Sequence, residues 1–242
     1  VIKEVHMNGT TANPQTQALV LTPTASSAFA FGWRRMKQYF LDLFLIILIL
    51  GAVLVPVGMI GSLNGHDTPG GVLLRIFSSA YWLLLFVPID FGASWIFLRA
   101  VRGEKFEVKD IFSVFESDYL NVVLSSLLLY AIIGIGIVFL VVPGVIFACR
   151  LAFVRYLVVD RKMDAVAAVK ESWRMTRGHA GSIFLMGLLC VPIFVAGLIC
   201  FGVGVVPAII WISCGFAAMY FAVSQGEASQ AAAPPPLAAD AA

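Results

Sequence analysis

Charge is scarce in this sequence. Asp, Glu, Lys and Arg make up 12% of its 242 residues, while apolar types make up 60%. A soluble domain carries about 25% charged and about 45–50% apolar residues. A water-soluble globule of this length is excluded, because too little charge is left to dress its surface, and disorder is excluded away from the ends. The net charge of +2 is too small to make nucleic acid the main partner. Histidine is rare: His6, His66 and His179 all lie outside the apolar runs, so no Ser–His nucleophile assembles within them. Cys149, Cys190, Cys200 and Cys214 lie inside apolar runs without C-x-x-C pairing or a nearby His, which reads as small apolar residues rather than a zinc or redox site. Phosphate-cradling glycine motifs are missing as well. The sequence is read as non-enzymatic, with no cofactor and no metal.

What is present is a series of long apolar runs. Six candidates cover roughly 39–60, 74–98, 119–140, 143–159, 182–201 and 205–223. Each approaches the length that crosses about 30 Å of hydrocarbon at about 1.5 Å per residue. The runs are apolar on every face, so they fit helices and lack the alternation of a membrane barrel. The expected fold is an all-α membrane protein with six transmembrane helices arranged as three hairpins. Its domains are a flexible polar N-terminal segment (1–28), a six-helix membrane domain (29–224) and a disordered Ala/Pro-rich tail (225–242). Residues 1–28 do not resemble a signal peptide, and the start is either Val1 or Met7.

Basic residues orient the helices. Lys3, Arg34, Arg35 and Lys37 precede the first run. Arg99, Arg102, Lys105 and Lys109 lie between the second and third. Arg161, Lys162, Lys170, Arg174 and Arg177 lie between the fourth and fifth. These thirteen of the sixteen cations share one side, and the positive-inside rule makes that side, with both termini, cytoplasmic. An even number of crossings independently requires the termini to share a side.

The loops on that side carry structure of their own. In 164–177, Val166, Val169 and Trp173 recur at helical spacing among charges, which reads as an amphipathic interfacial helix. Residues 106–115 form a shorter version, and Phe29, Phe31, Trp33 and Met36 interleave with Arg34, Arg35 and Lys37 before the first run. Trp33, Arg34, Arg35, Trp173, Arg174 and Arg177 are therefore the expected lipid-facing residues. Each hairpin is expected to follow one cytoplasmic interfacial helix. The strings Val142-Pro143-Gly144-Val145-Ile146 and Val206-Pro207-Ala208-Ile209-Ile210 each open a run and suggest three copies of one unit.

The Pro143-Gly144 helix start, followed by Arg150, Tyr156 and Asp160, then Ala165, Ala168, Ser172-Trp173 and Arg177-Gly178, resembles the uncharacterised bacterial inner-membrane proteins of the YciC type. The membrane domain fused to some glycerophosphoryl diester phosphodiesterases is similar, and Asp110-Ile111-Phe112-Ser113-Val114-Phe115 fits the same pattern. The likeness covers roughly 105–224. It implies a helical module of the bacterial cytoplasmic membrane without chemistry of its own.

Ionisable groups inside apolar runs are the remaining candidates, since a charge at mid-membrane costs at least about 2.5–3.5 kcal/mol on insertion scales. Asp90 and Arg155 fall at similar depth and are expected to pair. Arg150, nearer mid-membrane, is expected to face the bundle interior, bonded to backbone carbonyls or a lipid phosphate. Asp42 is expected to reach towards Arg34 and Arg35. Asp90, Arg150 and Arg155 either lock helices together or line a path for an anion, a proton or a lipid headgroup. The leading functional expectation is a non-catalytic protein that associates with membrane lipids, through anionic headgroups, or with a larger membrane complex. A transporter or channel using Asp90, Arg150 and Arg155 is the alternative.

Overall fold

The structure is a computed structural model that describes residues 22–63, 69–117, 119–139, 141–199 and 204–232. Cys200, His6, His66, the alternative starts Val1 and Met7, and the Pro-rich end of the tail lie outside the described residues. Among the described residues the chain is helical throughout, with no strand. The helices are α1 (Ala25–Gln38), α2 (Phe40–Leu63), α3 (Pro69–Tyr81), α4 (Val87–Arg102), α5 (Ser113–Ser117), α6 (Tyr119–Phe139), α7 (Val141–Arg150), α8 (Val154–Asp160), α9 (Ala165–Met175), α10 (Ala180–Ile199) and α11 (Val205–Ala232). A π-helical turn, Trp82–Phe86, fuses α3 to α4, and a 3₁₀ turn, Val108–Phe112, leads into α5.

Five helical segments are long and apolar enough to cross a membrane: Phe40–Met59, Gly70–Arg102, Tyr119–Ile137, Ala180–Ile199 and Val205–Ala228. Such a set indicates a multi-pass membrane protein. The run expected as the fourth crossing is instead broken into α7 and α8, each too short to span alone. The break shows in the backbone hydrogen bonds. The Val154 N–H turns back to the Leu151 carbonyl (3.1 Å), so the Arg150 carbonyl loses its helical donor. The Ser172 hydroxyl donates to that carbonyl at 2.8 Å and replaces the lost bond.

Prolines also lie in α2, α4 and α10, and at two of them a tyrosine hydroxyl from another helix bonds a carbonyl close by. Pro88 has no N–H to offer the Leu84 carbonyl one turn back. The helix widens just before it, with the Val87 N–H reaching Trp82, and the Tyr119 hydroxyl donates to the Leu84 carbonyl at 3.0 Å. Pro56 lies inside α2, and the Tyr81 hydroxyl donates to the nearby Val53 carbonyl at 3.1 Å.

α4, α8 and α11 form the centre. Their buried side chains, among them Phe91, Ile96, Phe153, Leu157, Met219 and Tyr220, make one continuous core. α2 and α10 pack on its edge, burying Leu43, Ile46, Ile183 and Met186 in it and leaving Leu41, Leu48, Leu188 and Ile199 exposed. Half of the apolar window of α11 is buried, but only 11% of that of α2, so α2 is a lipid-facing helix.

The short basic segments pack inwards in a cyclic order. The 3₁₀ turn before α5 packs on α4, α9 packs on α8, and α1 packs on α11, closing the ring between the two ends of the chain. Two of these dockings match residue for residue. Ala25, Ala28, Gly32 and Trp33 of α1 hold the order of Ala165, Ala168, Ser172 and Trp173 of α9. Trp33 packs on Trp211 (4.8 Å between centroids) as Trp173 packs on Phe147 (5.8 Å). Trp211 and Phe147 occupy the same place after Pro207 and Pro143. Gly32 abuts the backbone of Cys214 and Gly215, where Ser172 meets the backbone of Arg150. The expected interfacial helices therefore bury one face in protein rather than only in lipid.

Two boundaries differ from the sequence reading. α1 starts at Ala25, within the segment expected to be flexible, because Thr24 caps it. α11 continues to Ala232, into the expected disordered tail. Its extension is anchored by Glu227, which pairs with Arg174 at 3.2 Å.

The α4 contact is the tightest, since a Cβ on Gly92 would collide with the Ile111 carbonyl oxygen. Gly92→Ala is expected to abolish most monodisperse protein on size-exclusion chromatography in detergent. Gly51→Ala, where a Cβ meets nothing within 4 Å, is expected to behave as wild type.

Candidate functional site

Asp90 sits in the first turn of α4, and Arg155 sits near the start of α8. The packing of α8 on α4 brings them to 3.2 Å, Arg155 Nη1 to Asp90 Oδ2. Neither side chain is sealed off: 28% of Asp90 and 37% of Arg155 remains exposed. Ser125 and Ser126 add no polar lining, because their hydroxyls donate to the carbonyls of Asn121 and Val123 on their own helix.

Arg150, expected to face the bundle interior, is not part of this pair. Its guanidinium lies over the Trp173 ring, 5.5 Å from the centroid, and its buried Nη1 makes no hydrogen bond to the described residues. The carbonyl contact expected of Arg150 belongs to its own backbone oxygen, which Ser172 engages. The reason is positional: α7 ends at Arg150, so the side chain leaves the helix next to α9.

A second polar centre lies where α4, α8 and α11 meet. Arg102 donates to both carboxylate oxygens of Asp160, at 2.6 and 2.7 Å. The Tyr220 hydroxyl donates to Asp160 at 2.8 Å, and its ring stacks on Tyr156 at 5.1 Å. A planar bidentate arrangement of this kind fixes orientation as well as supplying energy. Sequence reasoning counted Arg102 as a loop cation and missed it. The available signal was an Arg and an Asp each ending an apolar run, without a partner nearby in sequence.

Beside this centre, a network ties α9 to α11. Arg174 donates to Glu171 at 2.6 and 2.8 Å, and Arg161 donates to Glu171 at 3.1 Å. Both arginines also face Glu227. The hydrogen bonds from Arg174 hold the Glu171 carboxyl below the usual glutamate range. Arg174, expected to face lipid, is thus committed to intramolecular pairing. Arg35 is also engaged, donating to Gln38 at 3.0 Å and lying over Phe31 at 5.2 Å. Trp33 is the more open of the two expected lipid-facing tryptophans at 40% exposure, with Lys37 Nζ 5.1 Å from its ring. Arg34, Lys170 and Arg177 are exposed, and no side-chain partner appears for them among the described residues.

Asp42 does not reach Arg34 or Arg35. It lines a cavity of about 430 Å³ with Tyr39, Arg99, Glu104, Lys105 and Asp110. A second, apolar cavity of about 570 Å³ lies beside the π-helical turn, lined by Phe77, Leu84, Phe115 and Tyr119 among others. Cys149, Cys190 and Cys214 are free thiols. Among the described residues no group of three or more His, Cys, Asp and Glu could hold a metal ion.

Residues 109–240 match a family described as a domain of unknown function, DUF7847. The match covers more than half of the chain, which belongs to that family. It takes in Arg150, Arg155, Asp160, the Glu171 network and Tyr220, while Asp90 and Arg102 lie before it. No curated protein and no solved structure matches the chain.

Two outcomes are expected of these centres. Asp160→Asn removes one charge from a largely buried pair and is expected to cost about 3 kcal/mol, read as a lower melting temperature in detergent. Tyr220→Phe is expected to cost about 1 kcal/mol. The Glu171 network has a pH signature. Its folded value is depressed, so its contribution is fully present above about pH 4.3 and is lost as pH falls through the folded value. Melting curves should show a low-pH loss in wild type that is reduced in Glu171→Gln.

Proposed function

We propose that this member of the DUF7847 family is a non-catalytic protein of the bacterial cytoplasmic membrane. In this reading it crosses the bilayer six times, with α7 and α8 together completing one crossing, and both termini are cytoplasmic. It associates with anionic lipid headgroups or with a larger membrane complex. The carrying observation is that Arg34, Lys170 and Arg177 stay exposed and unpaired on α1 and around α9, while neighbouring arginines are consumed in internal pairs. Cations held near an anionic surface contribute about 1 kcal/mol each. The resemblance to YciC-type proteins adds support, since it implies the same compartment and no chemistry.

Binding of the detergent-purified protein to nanodiscs tests the lipid role. Arg34→Gln/Lys170→Gln/Arg177→Gln is expected to lose about tenfold or more in affinity for discs rich in phosphatidylglycerol, and unchanged affinity would discredit the role. Orientation is tested separately. Amine reagents applied to the outer face of intact cells should leave Lys109 and Lys170 unmodified, and their labelling would overturn the topology.

A second reading rests on Asp90 and Arg155. A pair that stays partly open within an apolar bundle can meet a small anion or a headgroup, which fits a transporter or channel. Arg150, the third residue of that reading, stands on Trp173. Solute flux in proteoliposomes that is lost in Arg155→Gln and kept in Arg150→Ala would support transport through the pair alone.

A further inference from the structure

We propose that the cavity at the base of α2 binds the headgroup of a phospholipid bearing a primary ammonium. Its walls are the first turn of α2, the end of α4 and the segment leading into the 3₁₀ turn, and its volume is about 430 Å³, within the range of small-molecule sites. Most charges around it are spent. Asp110 takes Arg99 Nη1 at 2.7 Å, and Glu107 takes Lys109 at 2.8 Å. Three groups are left over. The Asp42 carboxylate and the Lys105 ammonium have no partner among the described residues. Arg99 Nε is buried without a hydrogen bond, the nearest Glu104 oxygen being 3.6 Å away.

This residue set selects for a ligand of two signs. A simple anion would meet Asp42 and Glu104, and a simple cation would meet Lys105 and Arg99. A phosphate joined to a primary ammonium suits both, with the phosphate oxygens accepting from Lys105 and Arg99 Nε and the ammonium donating to Asp42 and Glu104. Arg99 Nε is the buried donor among them, and a buried donor left without a partner is costly, so meeting it favours binding, while the exposed Asp42, Glu104 and Lys105 supply the charge selection. A choline headgroup lacks the N–H bonds for the second contact. The rings of Tyr39 and Phe106, 5.4 Å apart, complete one wall.

The ligand is a membrane lipid rather than a soluble zwitterion because of what adjoins the cavity. Leu41 directly precedes Asp42 on α2, and Leu45 and Leu48 continue the same face four and three residues further on; the three are 75%, 44% and 57% exposed. They form an apolar track that starts at the cavity and runs along a membrane-crossing helix, where an acyl chain can lie. The proposal shares with the preceding reading only the membrane position of α2 and α4, and does not use Arg34, Lys170 or Arg177.

The test is native mass spectrometry of the full chain, stripped of lipid in detergent and titrated with dioleoyl phosphatidylethanolamine, phosphatidylcholine and phosphatidylglycerol. Phosphatidylethanolamine is expected to bind about tenfold more tightly than the other two, the scale of one charge-assisted hydrogen bond. Asp42→Asn should bring it down to the phosphatidylcholine level, and Lys105→Gln should weaken it severalfold. Neither residue holds another part of the fold, and size-exclusion profiles verify that both variants remain folded. Equal affinity for the three lipids, or an Asp42→Asn protein that binds like wild type, would overturn the proposal. Displacement by soluble phosphoethanolamine as potent as the lipid would overturn its lipid half. A preference for phosphatidylglycerol that disappears in the Arg34/Lys170/Arg177 variant would overturn it while upholding the anionic-surface reading.

Discussion

A backbone carbonyl released inside hydrocarbon has no water to turn to, and this constraint organises the molecule. Where the helical ladder opens after Arg150, a serine from α9 supplies the missing donor. Where Pro88 withholds its N–H from the Leu84 carbonyl, the Tyr119 hydroxyl donates instead, and the Tyr81 hydroxyl donates to the Val53 carbonyl close to Pro56. In lipid such groups cost several kcal/mol when left unmet. The break after Arg150 and the proline at 88 thus recruit side chains from other helices, and each recruitment is also a tertiary contact. The breaks join the helices as much as they interrupt them.

The same logic explains why the basic segments pack inwards. Ser172 can meet the Arg150 carbonyl only if α9 lies against the end of α7. Close approach then requires small residues on the contacting face, and Ala168 and Ser172 are fully buried there. α1 repeats the arrangement with Gly32, whose missing side chain lets it abut Gly215. Trp33 and Trp173 flank the two contacts, each covering one side of the crossing. At the far end of the inner helices, Asp160 gathers Arg102 and Tyr220, so α4, α8 and α11 are fixed by a polar clamp as well as by apolar packing.

Much of this was legible in the sequence because hydropathy reports the solvent directly. The apolar runs around α2, α6, α10 and α11 correspond to helices with the expected positions, and the spacing around Trp173 marks α9. Asp90 and Arg155 could be matched by depth alone, since two charges in one apolar layer have few other partners. Three features were not legible. Nothing in Leu151–Phe153 signals a break, since these residues are as apolar as their neighbours and the cause lies in Ser172. The bidentate Arg102–Asp160 contact depends on α8 crossing α4, which periodicity does not report. Glu227 sits in a stretch whose composition reads as a loose tail, yet it continues α11 and pairs with Arg161 and Arg174.

The indole N–H of Trp211 donates to the Phe29 carbonyl across a separation of 182 residues. During synthesis α1 must therefore wait, already inserted or resting at the bilayer surface, until Trp211 has emerged. Contacts between such distant segments are slow to form. Until the last helix arrives, the glycine face of α1 stands uncovered, and a chain cut short before Trp211 would expose a surface that quality-control proteases can recognise.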